Sequence, residues 1–157
     1  MRGFSFSSSL PATAEAVWAH AMSPKGINRE LSPLVRMTFP AGKKDLQQDF
    51  TERWQAGERL FRSWILVGGV LPLDYDDITL IEVEPGRRFL ERSTMLSQRM
   101  WQHERTIEPT DFGCRVTDSV MFEPRIAILG PVYTPIFKMA FLLRHRNLRR
   151  IFGQAKE

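Results

Sequence analysis

The sequence has little of what staples small proteins together or anchors them in membranes. Its 157 residues include one cysteine, Cys114, which excludes an intramolecular disulfide and fits a reducing compartment. Residues 1–20 lack a basic region followed by an apolar block, so no secretory signal is predicted. The most apolar segment, residues 126–143, is interrupted by one glycine, two prolines and one lysine and is too short to span a bilayer comfortably. These absences predict a soluble, cytoplasmic protein.

Internal repeats and low-complexity segments are also missing. A chain of this length, with 43% hydrophobic and 25% charged residues, is long enough to bury one hydrophobic core. We therefore expect one globular domain over residues 1–157.

The net charge of +4 is unevenly distributed along the chain. Seven of the 22 lysines and arginines lie from Arg125 onward, against one acidic residue, Glu157. A basic C-terminal element could make a weak contact with an anionic membrane surface. It could equally be a solvated helix face, because cations are favoured near a helix C-terminus. No aromatic residues alternate with the basic ones, so we expect no nucleic-acid partner.

The spacing of apolar residues predicts the element order β-α-α-β6-α. Pro11 opens the first helical pattern, and Ser23 and Pro24 begin the second as N-cap and first helical residue. The predicted strands cover residues 3–10, 34–40, 59–72, 74–85, 87–95, 100–109 and 113–124, and a long helix covers 131–153. Gly68 and Gly69, inside the third strand, indicate a bulge or bend. Consecutive strands without alternating helices favour an α+β fold built on an antiparallel sheet.

One strand carries unusual residues at every second position: Trp101, His103, Arg105 and Ile107. A hairpin turning near residues 110–111 would pair Ile107 with Cys114 and His103 with Asp118. The apolar residues of both strands then share one face, which must be the buried one. The row containing the tryptophan, the histidine and the arginine is therefore predicted to point inward, although a core made only for stability rarely uses these residues.

An inward His103 beside Asp118 allows three roles. The pair can tie two strands together by a hydrogen bond, contact a ligand in an apolar cavity, or transfer protons as a general acid and base. Arg144 falls on the apolar stripe of the last helix, so it needs a carboxylate partner or binds an acidic group of a ligand. His20 and His145 are interpreted as ordinary helix residues.

Other catalytic or metal-binding arrangements are not predicted. In the expected register the partner of Cys114 lies about 13 Å along the strand from His103, too far for a nucleophile and its base. The stretch HERTI lacks the second histidine of a zinc-protease helix. Asp74, Asp76 and Asp77 lack the glycine and distal glutamate of a calcium loop and are interpreted as strand-edge charges. We expect no metal and no cofactor.

These elements resemble the START-related, birch-pollen-allergen-like helix-grip superfamily, often called SRPBCC, which includes polyketide cyclases and coenzyme Q-binding proteins. The resemblance rests on residues 11–33, on the motif W-x-H-x-R-x-I followed by D-x-V-x-F-x-P, and on residues 141–152. Together they are similar to bacterial single-domain members. The resemblance implies a curved antiparallel sheet of about seven strands wrapped around a long C-terminal helix, with a deep hydrophobic cavity between them.

The resemblance further implies that a monomer or homodimer binds or carries a small hydrophobic molecule, such as a lipid, a quinone or a polyketide-like compound. The alternative is a cyclase/aromatase or dehydratase-type enzyme with His103, beside Asp118, as its acid/base; a third is a protein that docks through the basic helix end. The predicted ligand contacts are Trp64, Tyr75, Trp101, His103, Arg105, Val116, Asp118, Val120, Phe137 and Phe141.

A further helix is predicted over residues 43–57, where Leu46, Phe50 and Trp54 recur every four residues. Gly57 would end this helix. Relatives of this type usually run from strand to strand here, so we predict a lid over the cavity mouth, with Phe50 and Trp54 facing inward.

Overall fold

The computed structural model describes residues 1–47 and 54–155 and contains seven strands and three α-helices in this part of the chain. The strands are β1 (Arg2–Leu10), β2 (Val35–Met37), β3 (Arg59–Val67), β4 (Leu71–Glu84), β5 (Arg88–Met95), β6 (Gln98–Thr110) and β7 (Gly113–Pro124). The helices are α1 (Ala14–Ala21), α2 (Pro24–Leu31) and α3 (Gly130–Phe152), the last preceded by a 3₁₀ turn at Ala127–Leu129. The predicted α+β class and strand number are confirmed.

All seven strands belong to one antiparallel sheet, in the order β1-β7-β6-β5-β4-β3-β2. The first and last strands of the chain are therefore neighbours, and the sheet curls around α3 in the manner of a helix-grip fold. The C-terminal half of α3 supplies the buried residues Phe141, Arg144, His145, Asn147 and Leu148. The first half of this helix is largely exposed.

Hydroxyl groups fix where the two short helices begin. Thr13 accepts a hydrogen bond from the backbone nitrogen of Ala16 at 3.2 Å, so α1 begins three residues later than the predicted start at Pro11. Ser23 accepts one from the nitrogen of Gly26 at 2.9 Å, which confirms the predicted cap of α2. Both caps satisfy donors that the first helical turn leaves unpaired.

The hairpin of β6 and β7 differs from the predicted register by two residues. Its turn places Thr110 opposite Gly113, so that Arg105, and not His103, lies opposite Asp118. Because side-chain direction in a strand repeats every two residues, this shift leaves the inward face unchanged. The inward row is confirmed, with the following residues all buried: Trp101, His103, Arg105 and Ile107.

Gly68 and Gly69 form a turn between two strands, which corrects the predicted bulge inside one long strand. Their φ angles are +63° and +82°, a region that glycine enters without steric cost. The chain reverses here so that Val67 pairs with Leu71, and Pro72 lies within β4 and does not mark a turn.

Residues 48–53 of the predicted lid helix lie outside the described residues, which begin again at Trp54. Phe50 falls in the part not described. The described flanks, residues 43–46 and 54–57, are not helical, so the predicted bounds 43–57 are too wide, and Trp54 packs, half-buried, against the apolar core. At the other end of the segment, Leu46 is buried and its nitrogen donates to the carbonyl of Met22 at 2.8 Å. The lid itself stays a prediction.

Candidate functional site

A fully buried arginine organises the polar part of the interior. Arg105, on β6, donates from Nε and Nη2 to the two carboxylate oxygens of Asp118 on β7, each at 2.8 Å. Its Nη1 and Nη2 donate to Glu30 on α2 at 3.2 and 2.8 Å. All three side chains are 0% exposed. The planar guanidinium can serve two carboxylates at once because it carries five fixed donors.

Each of the three histidines of the chain lies against one of these two carboxylates. Nε2 of His103 lies 2.7 Å from Asp118 Oδ1, and Nε2 of His145 lies 2.9 Å from Asp118 Oδ2. Nε2 of His20 lies 3.2 Å from Glu30 Oε2. The interpretation of His20 and His145 as ordinary helix residues is therefore wrong, because both join the buried network.

Arg144 completes this network from the last helix. Its Nη2 lies 3.4 Å from Glu30 Oε1, so the expected carboxylate partner exists. Two arginines thus face two buried carboxylates, and the paired charges balance. Such balance is required because an isolated charge without water is very costly. We call Glu30, Arg105, Asp118 and Arg144, with the three histidines, the buried ion network.

The cations decide the ionisation of both carboxyl groups. Burial by itself raises the pKa of Glu30, but the charges of Arg105 and Arg144 outweigh it and hold that pKa well below its ordinary value. Burial acts in the same direction on Asp118, and the Arg105 charge and hydrogen bonds again lower its pKa well below 3.8. Both groups are therefore carboxylates at neutral pH.

A partly open cleft borders this network. It lies between the two short helices and the strands β3 to β6. Four polar side chains, Glu91, His103, Arg105 and Arg144, line it. The rest of its lining is apolar and consists of Ala21, Met22, Ile27, Met37, Phe39, Leu46, Leu60, Phe61, Ile78, Leu80 and Phe89.

A second pair of buried acids lies next to the cleft. Glu91 accepts a hydrogen bond from Ser93 at 2.7 Å, and its Oε2 lies 3.8 Å from Nδ1 of His103. Burial, followed by the nearby Glu91 charge, raises the pKa of Asp76 well above 3.8. Asp76 is only 4% exposed, so its interpretation as a strand-edge charge is wrong. Asp77 is closer to the predicted strand-edge charge, since it forms an ion pair with the exposed Arg62.

Two of the ten predicted ligand contacts, His103 and Arg105, line the cleft. Asp118 lies behind Arg105, and Val116 is part of the packed core. Trp64 is 41% exposed and its ring packs on Tyr75, with centroids 5.3 Å apart. The remaining four, Trp101, Val120, Phe137 and Phe141, pack together in an aromatic cluster.

The expected location of the cavity is corrected by this packing. The space between the sheet and α3 is filled by aromatic rings, with the centroids of Trp101 and Phe137 5.0 Å apart. The cleft lies beyond this filled part and is bordered by the sheet, by α1 and α2, and by Arg144 of α3. Sequence reasoning missed Glu30 and Glu91. Glu30 could have been found from its position on the buried face of α2, four residues after Gly26. Arg144, which is predicted to face the core, requires a carboxylate partner, and Glu30 is a candidate for it.

Comparison with known proteins gives the class of fold. Protein CV1439 from Chromobacterium violaceum superposes with a TM-score of 0.72 at 13% identity, over 96% of both chains. A START superfamily protein from Mycobacterium smegmatis gives 0.67 at 8% identity, over 96% of both chains. A protein from Rhodobacter sphaeroides gives 0.66 at 17% identity, over 95% of this chain and 91% of the other. The chain has a START-like, helix-grip fold.

The sequence also identifies the family. Residues 8–152 match the model of a family described as a domain of unknown function, DUF8410, and the chain belongs to this family. A search of curated proteins found no match.

Proposed function

We propose that the protein binds or carries a small hydrophobic molecule in the cleft beside the buried ion network. The observation that carries this proposal is the cleft itself, whose wall is mostly apolar with four polar side chains grouped together. This combination is typical of small-molecule sites. The START superfamily neighbour supports it at the level of the fold.

The chemistry of the wall favours a ligand with an apolar body and a polar group. Burial of the apolar part gains about 25 cal/mol per Å². Arg105 is already saturated by two carboxylates, whereas Arg144 has one partner, Glu30, and its Nε has none among the described residues. Arg144, His103 and Glu91 are therefore the groups that remain to recognise a polar end. Lipids, quinones and polyketide-like molecules meet this description, and the single cysteine is consistent with a cytoplasmic location.

The test combines identification of the bound molecule with a variant that fills the cleft. Native mass spectrometry of the purified protein is expected to show a co-purified small molecule. Titration with dansyl-labelled undecanoic acid is expected to saturate at one site. Leu60→Trp places a larger ring in the lining and should weaken this binding at least tenfold. Phe112→Trp is the matched control, because Phe112 is 58% exposed at the β6–β7 turn, away from the cleft.

Equal affinity of the two tryptophan variants and the wild type for the dansyl probe would place the bound probe outside the cleft. Absence of both saturable binding and a co-purified molecule would contradict the proposal as a whole. Circular dichroism of each variant separates loss of binding from loss of fold.

A second candidate function is catalysis of the cyclase/aromatase or dehydratase type. The specific observation in its favour is that His103 lies on the cleft wall between two carboxylates, at 2.7 Å from Asp118 and 3.8 Å from Glu91. A histidine held this way can pass a proton to or from a bound molecule. His103→Gln would then keep its affinity for the molecule identified by mass spectrometry and lose its conversion. Unchanged conversion would leave His103 a binding residue.

A further inference from the structure

The outward face of α3 carries a line of exposed apolar side chains. Val132, Ile136 and Met139 are 54%, 51% and 63% exposed, and their spacing of four and three residues places them on one side of the helix. Ile128, in the turn that precedes the helix, is 82% exposed. Single exposed apolar residues are common, but a continuous line of them marks an interaction surface.

Backbone hydrogen bonds hold the segment that precedes this line beside two strand ends that also expose leucines. The nitrogen of Arg125 donates to the carbonyl of Ser97 at 3.1 Å, and the nitrogen of Leu96 donates to that of Tyr75 at 3.2 Å. Leu96 is 50% exposed and Leu73, at the start of β4, is 57% exposed. We call the surface formed by Leu73, Leu96, Ile128, Val132, Ile136 and Met139 the apolar end face.

The charge along the helix side of this face has one sign. No aspartate or glutamate occurs from residue 125 to residue 155. Lys138 is exposed next to the apolar line, and the same side of the helix continues to the exposed Arg146 and Arg150. The nearest acidic group of β4, Asp74, is occupied, since it accepts a hydrogen bond from the nitrogen of Ser97 at 3.1 Å. The face therefore combines apolar and cationic groups.

We propose that this apolar end face docks the protein on an anionic lipid surface. Apolar side chains then enter the boundary of the head groups, and Lys138, Arg146 and Arg150 pair with lipid phosphates. A second copy of the chain fits less well, because a two-fold contact that brings the helix sides of two such faces together places cations against cations. The proposal does not depend on what the cleft binds.

Docking on the surface also fits better than crossing the membrane. By length and composition, Ala127–Phe152 is apolar enough to span a bilayer, and 17% of its most apolar window is buried in the protein. Its C-terminal half, however, holds Arg144, His145 and Asn147 in hydrogen bonds to α2, β1 and β7. Crossing would break these bonds and expose charged groups to hydrocarbon, whereas docking leaves them intact.

Flotation of the full chain with lipid vesicles tests the proposal. The protein is expected to float with vesicles of phosphatidylcholine and phosphatidylglycerol, at least tenfold more weakly with phosphatidylcholine alone, and more weakly at high salt. The double variant Val132→Ser/Ile136→Ser should lose at least tenfold in binding to the anionic vesicles. Lys138→Ser should weaken that binding and remove part of its salt dependence.

Phe112→Ser is the matched control, because this residue is 58% exposed and lies at the other end of β6. It should leave flotation unchanged. Equal flotation of the control and the double variant, or no flotation of the wild type with either vesicle, would overturn the proposal. A wild-type dimer in analytical ultracentrifugation that the double variant converts to a monomer, without flotation, would assign the face to a second copy and also overturn it.

Discussion

Replacement of Asp118 by asparagine tests the role of the buried ion network most directly. The side chain keeps its size but loses the charge that Arg105 contacts at two atoms and that two histidines approach. One partner of a buried charge pair is then left uncompensated, which typically costs about 3–5 kcal/mol. The stability of a whole domain is about 5–15 kcal/mol. We therefore expect Asp118→Asn to fold but to lose a large share of its free energy of unfolding.

The pH dependence of this loss follows from the lowered pKa of Asp118. A carboxyl group whose pKa is lower in the folded state stabilises the protein fully above its unfolded value of 3.8. That contribution disappears as pH falls through the folded-state pKa. The asparagine cannot titrate. The difference between wild type and variant should thus become smaller below about pH 4.

Urea unfolding at a series of pH values, followed by tryptophan fluorescence, measures both effects. Asp77→Asn is the matched control, because Asp77 pairs with Arg62 at the surface and should cost much less. A loss below about 1 kcal/mol for Asp118→Asn at neutral pH would refute the reasoning, since exposed pairs already reach that value. A loss of stability that does not change with pH would show that the carboxylate is not the source of the effect.

Two further predictions concern the acid pair and the turns. Because the pKa of Asp76 is raised in the folded state, the stability of the wild type should fall as pH rises from about 4 through that pKa. In urea unfolding, Asp76→Asn should therefore be more stable relative to wild type at pH 8 than at pH 4. A relative stability that changes with pH in the opposite direction would contradict the raised pKa. Gly113 has φ +143°, and a Cβ there would lie 2.1 Å from the carbonyl oxygen of Leu10. Gly86 has φ +79° and no atom within 4 Å of such a Cβ, so Gly86→Ala should cost only the backbone strain of about 1–2 kcal/mol. We therefore expect Gly113→Ala to lower the melting temperature clearly more than Gly86→Ala. Equal melting temperatures of the two glycine variants would contradict this.

The inward direction of the Trp-His-Arg row was predictable because it depends on a period of two along a single strand. The register was not, because neither Asp111–Phe112 nor the pair one residue earlier, Thr110–Asp111, contains the glycine that fixes a two-residue hairpin turn. The error did not matter for the face, since moving the pairing by two residues returns every side chain to the same side. The fold class was predictable as well, because the order of the elements also depends on periodicity within each segment of the chain.

The pairing of Glu30 with Arg105 was not predictable, since the two residues lie 75 positions apart and no local pattern connects them. The position of the cleft was missed for a related reason. Rings from β1, β6, β7 and α3 fill the space under the last helix, and which side of a sheet is filled depends on all side-chain volumes together. The apolar periodicity of one element contains no information about that sum.

The cleft and the buried ion network share three side chains, His103, Arg105 and Arg144, and this has a consequence for binding. Arg105 makes four hydrogen bonds to two carboxylates, so it cannot turn toward a ligand without breaking bonds that are strong in a dry interior. The polar wall is therefore already oriented before a ligand binds, and little conformational entropy is lost in ordering it. Differences in affinity among ligands must then come from the fit of the apolar wall and from His103, Glu91 and Arg144, whose hydrogen-bonding capacity is not exhausted. A variant of Glu91 or Arg144 should change which molecule is bound, whereas a variant of Arg105 should change whether the protein folds.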